Sequence, residues 1–196
     1  MPLRKFKIIF FGLGSAGQRH LRNLLNENVN LRIYSFKKTK KNFLINQNLE
    51  KINKNILTKY KIINLKNKKE IKAIKPDIAL ICNPSPDHIK YAIFCAKLGC
   101  DLFIEKPISN NLKNVKKLYD LVLKKKLVMS IGYQLLFHPL LIKLKKIIKT
   151  ERYGNLLSGR LIMSENVKNY RNYGTYKDLL ITKKKSGGGV LLEQSH

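Results

Sequence analysis

The chain has 196 residues, 44% of them hydrophobic, and a formal net charge of +28 from 40 lysines and arginines against 12 aspartates and glutamates. That apolar content supports a buried core, while no apolar run approaches the roughly 18 residues that a membrane-spanning helix needs. The charge would attract nucleic acid or anionic membrane, but the lysines are spread evenly and no helix-turn-helix, zinc-finger or RNA-recognition signature is present, so no specific nucleic-acid partner and no membrane partner are expected.

Lys, Asn and Ile share A/T-rich codons, and the excess of lysine reads as compositional. Cys82, Cys95 and Cys100 are odd in number and lack metal-ligand spacing. They fit buried thiols in a reducing compartment, and with no signal peptide expected ahead of the first strand, a cytoplasmic location follows as an expectation.

In chain order, Lys7 to Phe11 is an apolar strand that runs into Gly12-Leu13-Gly14-Ser15-Ala16-Gly17, and a helical pattern follows at once. Strand, G-x-G-x-x-G and helix in that order suit a dinucleotide pyrophosphate. Gly12 permits the turn, Gly14 lets backbone approach the phosphates, and Gly17 lets helix and strand pack closely. The free N–H groups and the dipole of the first helical turn would then face the anion. Ala16, His20, Leu21, Leu24 and Leu25 keep helical spacing, and His20 reads as a packing or capping residue.

Leu31 to Phe36 is a second strand. A cofactor with a free ribose 2′-hydroxyl usually meets an acidic residue at this point, but no Asp or Glu lies between Glu27 and Glu50. Ser35, Lys37 and Lys38 stand there instead and suit a 2′-phosphate, so NADP(H) is slightly favoured over NAD(H). A generic basic loop in a lysine-rich protein is the alternative. Residues 37–60 read as polar with a loosely ended helix, 61–65 as a short strand, and 70–74 as a helical turn stopped by Pro76.

Asp77 to Cys82 is a continuous apolar run expected of a central parallel strand. It ends in Asn83-Pro84-Ser85-Pro86-Asp87-His88, where Ser85 can cap the helix that follows. That helix carries Ile89, Ala92, Ile93 and Ala96 on one face and stops at Gly99. Asp101 to Ile104 is another buried strand, ending in Glu105-Lys106-Pro107. Asn111 can cap a helix with Leu112, Val115, Leu118 and Val122 on its apolar face, and 127–131 is a further strand. Such alternation implies a parallel sheet with right-handed crossovers and ligands at the carboxyl ends of its strands. The glycine loop, Ser35 to Lys38, Asn83 to His88 and Glu105 to Pro107 should therefore line one crevice. Beyond Tyr133 an amphipathic helix (Leu140, Leu141, Leu144, Ile147, Ile148), a turn at Gly154-Asn155 and a strand over Leu156 to Met163 are expected, before a polar stretch and Gly187-Gly188-Gly189 leading into a last helix.

Taken together, Gly12 to Gly17, Cys82-Asn83-Pro84 with His88, Glu105-Lys106-Pro107, Gly132-Tyr133-Gln134, and Gly187-Gly188-Gly189 with His196 resemble the Gfo/Idh/MocA family of NAD(P)-dependent oxidoreductases. The resemblance runs from Lys5 to His196. It implies an α/β fold: a Rossmann-type doubly wound parallel sheet over residues 1–131, followed by the start of an α+β substrate domain over 132–196. It also implies hydride transfer between a nicotinamide cofactor and a hydroxyl or keto carbon of a sugar, nucleotide sugar or polyol.

Residue by residue, the resemblance places Gly12, Leu13, Gly14, Ser15, Ala16 and Gly17 on the pyrophosphate. Asn83, Pro84 and His88 would lie along the cofactor, Glu105 by the nicotinamide ribose, and Lys106 on both cofactor and substrate hydroxyl, often across a cis bond to the next proline, here Pro107. His196 matches an acid/base histidine, with Glu193 standing where Asp is common. The chemistry itself asks for a group titrating near neutrality and for a cation beside the developing alkoxide. Leu136 replaces a frequent arginine after Gly132-Tyr133-Gln134, which bears on substrate orientation. No metal site is expected. Full-length members of the family are commonly homo-oligomeric and continue into a mostly antiparallel sheet that this chain lacks, so a fragment or a prematurely ended reading frame is expected. A noncatalytic dinucleotide-binding module is the second reading and a basic nucleic-acid-binding protein the third.

Overall fold

A computed structural model describes residues 4–27, 29–37, 42–164, 166, 168, 175–179, 182–183 and 187–189. Strand β1 (Phe6–Phe11) lies in the middle of a six-stranded sheet. Its Ile8, Ile9, Phe10 and Phe11 are all at most 1% exposed, because both faces of a parallel sheet are covered and alternation is lost. β2 (Leu31–Phe36) and β5 (Ile63–Asn64) extend the sheet on one side of β1; β6 (Ile78–Ile81), β7 (Asp101–Ile104) and β8 (Met129–Ile131) extend it on the other. Every pairing is parallel. The order β5-β2-β1-β6-β7-β8 is that of a doubly wound Rossmann sheet, and the chain reverses direction across the sheet between β1 and β6.

Alternate residues of the strands feed two cores. On one face Ile9, Phe11, Ala79, Ile81, Leu102 and Ile104 meet α3 (Lys68–Ile74), α4 (His88–Lys97) and α5 (Val115–Lys124). On the other, Ile8, Phe10 and Leu80 meet Leu21 of α1 (Ser15–Asn26).

The structure corrects several expectations. Among the described residues of 37–60 the loosely ended helix is replaced: β3 (Phe43–Ile45) and β4 (Lys51–Asn55) form an antiparallel hairpin, followed by the single turn α2 (Ile56–Lys59). The hairpin is anchored from α1, where the Gln18 amide donates to Phe43 O and its Oε1 accepts from Ile45 N–H. Consecutive Leu44 and Ile45 are both buried, so no strand alternation marks the segment in the sequence.

Ser85 does not cap α4; it begins a 3₁₀ turn (Ser85–Asp87) and its hydroxyl has no partner among the described residues. Asn111 accepts from Lys113 N–H, and α5 starts only at Val115, leaving Leu112 88% exposed. After β8 come a 3₁₀ turn (Gln134–Phe137) and α6 (Pro139–Lys149), matching the expected amphipathic helix. Leu156 to Met163 forms no strand: among the described residues none pairs with it to complete a ladder, and these residues are exposed. No described helix is long and apolar enough to cross a membrane.

Candidate functional site

The glycine loop sits where the sheet order reverses. Gly12 has φ of 94°, and a Cβ there would lie 2.8 Å from Cys82 O and 2.9 Å from Asn83 N. Only glycine lets the ends of β1 and β6 approach this closely. A Cβ on Gly17 would meet the carbonyl of Gly12, so the second close approach is between α1 and the loop itself. Gly14 differs: it caps α1 with no side chain, and nothing lies within 4 Å of its would-be Cβ.

The first helical bond runs from Gln18 N–H to Gly14 O at 2.9 Å, so the N–H groups of Ser15, Ala16 and Gly17 precede the intrahelical ladder. No acidic residue occupies the first turn. Open space, unused donors and the positive end of the helix dipole together fit a pyrophosphate. Leu13 contributes backbone, its carbonyl accepting from the Gln18 amide at 3.1 Å.

Past the end of β6, the Asn83 amide donates to Pro84 O at 3.1 Å, while its Oδ1 is buried with no partner among the described residues. An unmatched buried acceptor beside the glycine loop is what a ligand donor would satisfy. His88 is 2% exposed, with Nε2 2.6 Å from Asn83 O and Nδ1 2.9 Å from Pro107 O. It thus joins the loop after β6 to the loop after β7. Burial pulls its pKa below the usual histidine value, outweighing the two carbonyls that favour the charged ring. Burial likewise pushes the neighbouring Cys82 thiol up, with the Glu105 charge adding to it, so Cys82 is no thiolate nucleophile.

At the end of β7, Glu105 is 8% exposed. Its Oε1 lies 2.5 Å from His20 Nε2 and 3.4 Å from an Arg19 guanidinium nitrogen, and its Oε2 accepts from Lys106 N–H at 3.1 Å. Burial is the largest single influence and raises its pKa, but the His20 hydrogen bond and charge, Arg19 and the Lys106 N–H together hold it below the usual carboxylate range. Lys106 is half-buried, and the Lys106–Pro107 bond is cis.

The end of β2 offers less to a ligand. Ser35 is fully buried and donates to Asn64 Oδ1 at 2.8 Å; Lys37 bonds Asn42 Oδ1, and burial lowers its pKa. Lys38, Glu193 and His196 lie outside the described residues. Gly187, with φ of 75°, sits against Ser85 and Pro86, and its would-be Cβ is 3.3 Å from Asn110 Cβ. Among the described residues no group of three or more His, Cys, Asp or Glu side chains could hold a metal.

The structure therefore brings Gly12 to Gly17, Asn83, Pro84, His88, Glu105 and Lys106 to neighbouring strand ends. It adds the contacts of His20 and Arg19 with Glu105; the sequence marked His20 only as a packing or capping residue. The available signal was spacing: His20 stands one helical turn after Gly17 and so faces the sheet with it.

The family model described as an oxidoreductase family with an NAD-binding Rossmann fold, Gfo/Idh/MocA, matches residues 6–133. No curated protein matches the chain's sequence. Among solved structures, an NAD-binding protein from Listeria innocua superposes with a TM-score of 0.66 at 15% identity, covering 98% of this chain and 52% of that one. The WlbA dehydrogenase from Chromobacterium violaceum, in complex with NADH and UDP-GlcNAcA, gives 0.62 at 19% identity over 79% of this chain and 42% of that one. An apo scyllo-inositol dehydrogenase from Lactobacillus casei gives 0.59 at 16% identity over 79% and 44%. At these identities the likeness is one of fold, and the chain spans about half the length of the structures it matches. The family model, covering well over half of the chain, places this protein in the Gfo/Idh/MocA oxidoreductase family, with its NAD-binding Rossmann fold.

Proposed function

We propose that this chain provides the cofactor half of an NAD(P)-dependent oxidoreductase acting on a sugar, nucleotide sugar or polyol, with residues 1–131 as the dinucleotide-binding domain and 132–196 as the beginning of the substrate domain. One observation carries the reading. The open cradle at Gly14 follows the end of β1 and the unmatched Asn83 Oδ1 follows the end of its neighbour β6, with Glu105 and Lys106 one strand further on, so donors and acceptors for a dinucleotide follow one another across the sheet. The relatives supply the substrate class: one solved relative was captured with NADH and a nucleotide sugar, and another is an inositol dehydrogenase.

Within this reading, the backbone of Gly12, Leu13, Gly14, Ser15, Ala16 and Gly17 holds the pyrophosphate. His88 acts through the two loops whose carbonyls it faces, and Pro84 limits the freedom of the first of them. Glu105 receives the ribose next to the nicotinamide. The bound nicotinamide supplies hydride exchange with a carbinol or keto carbon. Lys106 stabilises negative charge on the substrate oxygen, and His196, with Glu193 beside it, takes or returns the hydroxyl proton. Lys37 and Lys38, with no acidic residue nearby in sequence, favour NADP(H) over NAD(H); Ser35, turned to Asn64, supports the strand end.

Fluorescence titration with NADPH and NADH, on the wild type and on Lys106→Ala, tests the proposal. Binding of both, tighter for NADPH, is expected, and Lys106→Ala should abolish any turnover while retaining most cofactor affinity. Absence of binding to either would overturn the dinucleotide reading, and tighter NADH binding would overturn the NADP(H) preference alone.

A further inference from the structure

We propose that His20 is a positioning residue: its hydrogen bond to Glu105 ties the glycine-loop helix to the loop after β7 and sets the one direction in which Glu105 can accept a hydroxyl of the ribose beside the nicotinamide. The inference rests on the dinucleotide reading above and adds a role for a residue that carries no part in it.

The geometry follows from the strand's period of two. Phe103 and Glu105 project to the same face of the sheet, the face that α1 covers. His20, on the second turn of α1, reaches both. Its ring meets Phe103 edge-on with centroids 4.7 Å apart, and its Nε2 lies 2.5 Å from Glu105 Oε1. Packing on Phe103 thus fixes the ring, and the ring fixes the carboxylate. Arg19 approaches the same oxygen from the rim at 3.4 Å, but its side chain is 57% exposed against 19% for His20, so solvent weakens it.

Acceptor counting gives the direction. A carboxylate offers about four lone-pair sites, two on each oxygen. His20 and Arg19 occupy those of Oε1, and Lys106 N–H takes one on Oε2. What is left is a single acceptor site on Oε2. Gly132 borders that oxygen, and a Cβ there would stand 3.5 Å from Oε2 and 3.3 Å from the Phe103 ring, so the missing side chain keeps the approach open. Without His20, Oε1 would regain a free lone pair and the carboxylate could rotate, spreading its acceptor capacity over more than one direction.

The test compares NADH with ADP, because both share the adenosine end and only NADH carries the nicotinamide ribose. NADH is titrated by nicotinamide fluorescence and ADP by calorimetry on the wild type, His20→Leu and His20→Gln. His20→Leu should weaken NADH about tenfold, the scale of one hydrogen bond to a buried charged group, and leave ADP within about twofold. His20→Gln, which returns an N–H donor at similar reach, should recover most of the loss. ADP binding reports that the glycine loop and its helix are still folded.

Unchanged NADH affinity in His20→Leu would overturn the proposal. So would a parallel loss of NADH and ADP, which would make His20 a support of the helix, or a failure of Gln to rescue, which would leave only the packing on Phe103. If the wild type binds neither NADH nor ADP, the dinucleotide reading itself falls, and this inference with it.

Discussion

Helices α5 and α6 are near twins in sequence character and opposites in circumstance. Both are short, lysine-rich and amphipathic, over Val115–Lys124 and Pro139–Lys149. In α5 the apolar face is covered: Leu118 is 0% and Val122 6% exposed, packed with α4 and the sheet. In α6 the same kind of face is bare, with Leu140 at 69%, Leu144 at 50% and Ile148 at 42%. Apolar periodicity specifies a helix and which side of it is apolar; burial comes from a neighbour. Up to β8 each helix has a strand pair to lie on, whereas residues 134–164 are exposed throughout.

The sharpest way to probe the contrast is truncation on each helix. Leu118→Ala should lower unfolding free energy by about 2–5 kcal/mol in urea denaturation, because a fully buried leucine leaves a cavity. An effect below about 1 kcal/mol would mean that α5 packs loosely and that the two helices differ less than their exposures imply.

A smaller effect is expected from pH, and only in the sheet region. The pKa of His88 is lowered in the folded state, so the unfolded chain binds more protons between the folded value and its own value of about 6.5. Stability is therefore fully present above about pH 6.5 and declines as pH falls toward the folded value. Midpoints of urea unfolding measured from pH 7.5 to 5 should show this decline, and His88→Gln should flatten it. Glu105, also lowered, adds a second loss only below about pH 4.3, as pH falls toward its folded value.

The smallest effect should come from Leu144→Ala in α6, within about 0.5 kcal/mol, since this half-exposed side chain is already in contact with water. A loss comparable with that of Leu118→Ala would show that α6 is buried in solution, for instance against another copy of the chain.

Much of the fold could be read in advance where local chemistry and global role coincide. Strands β1, β2, β6 and β7 are apolar runs bounded by turn residues, and the glycine spacing marks the turn out of β1. The 43–55 hairpin could not be read, because its anchor is the Gln18 side chain, 25 residues before Phe43. His20 was legible as a residue that packs, which its contact with Phe103 bears out. Its hydrogen bond to Glu105, 85 residues away, was not. Ser85 had the chemistry of a helix cap, but the two prolines around it turn the chain into a 3₁₀ turn first. Asn111 likewise caps a turn in place of the helix.

The sequence by itself determined the parallel alternation of strands and helices, the position of the glycine loop after β1, and the placing of that loop, Asn83 to His88 and Glu105 to Pro107 at neighbouring strand ends, since each rests on local residue chemistry and on the two periods of strand and helix. Tertiary structure alone decided which acceptors of Glu105 remain open, which carbonyls His88 faces, and which of two similar helices is covered. Those depend on atoms far apart in the chain meeting at hydrogen-bond distance, and no local pattern encodes that distance.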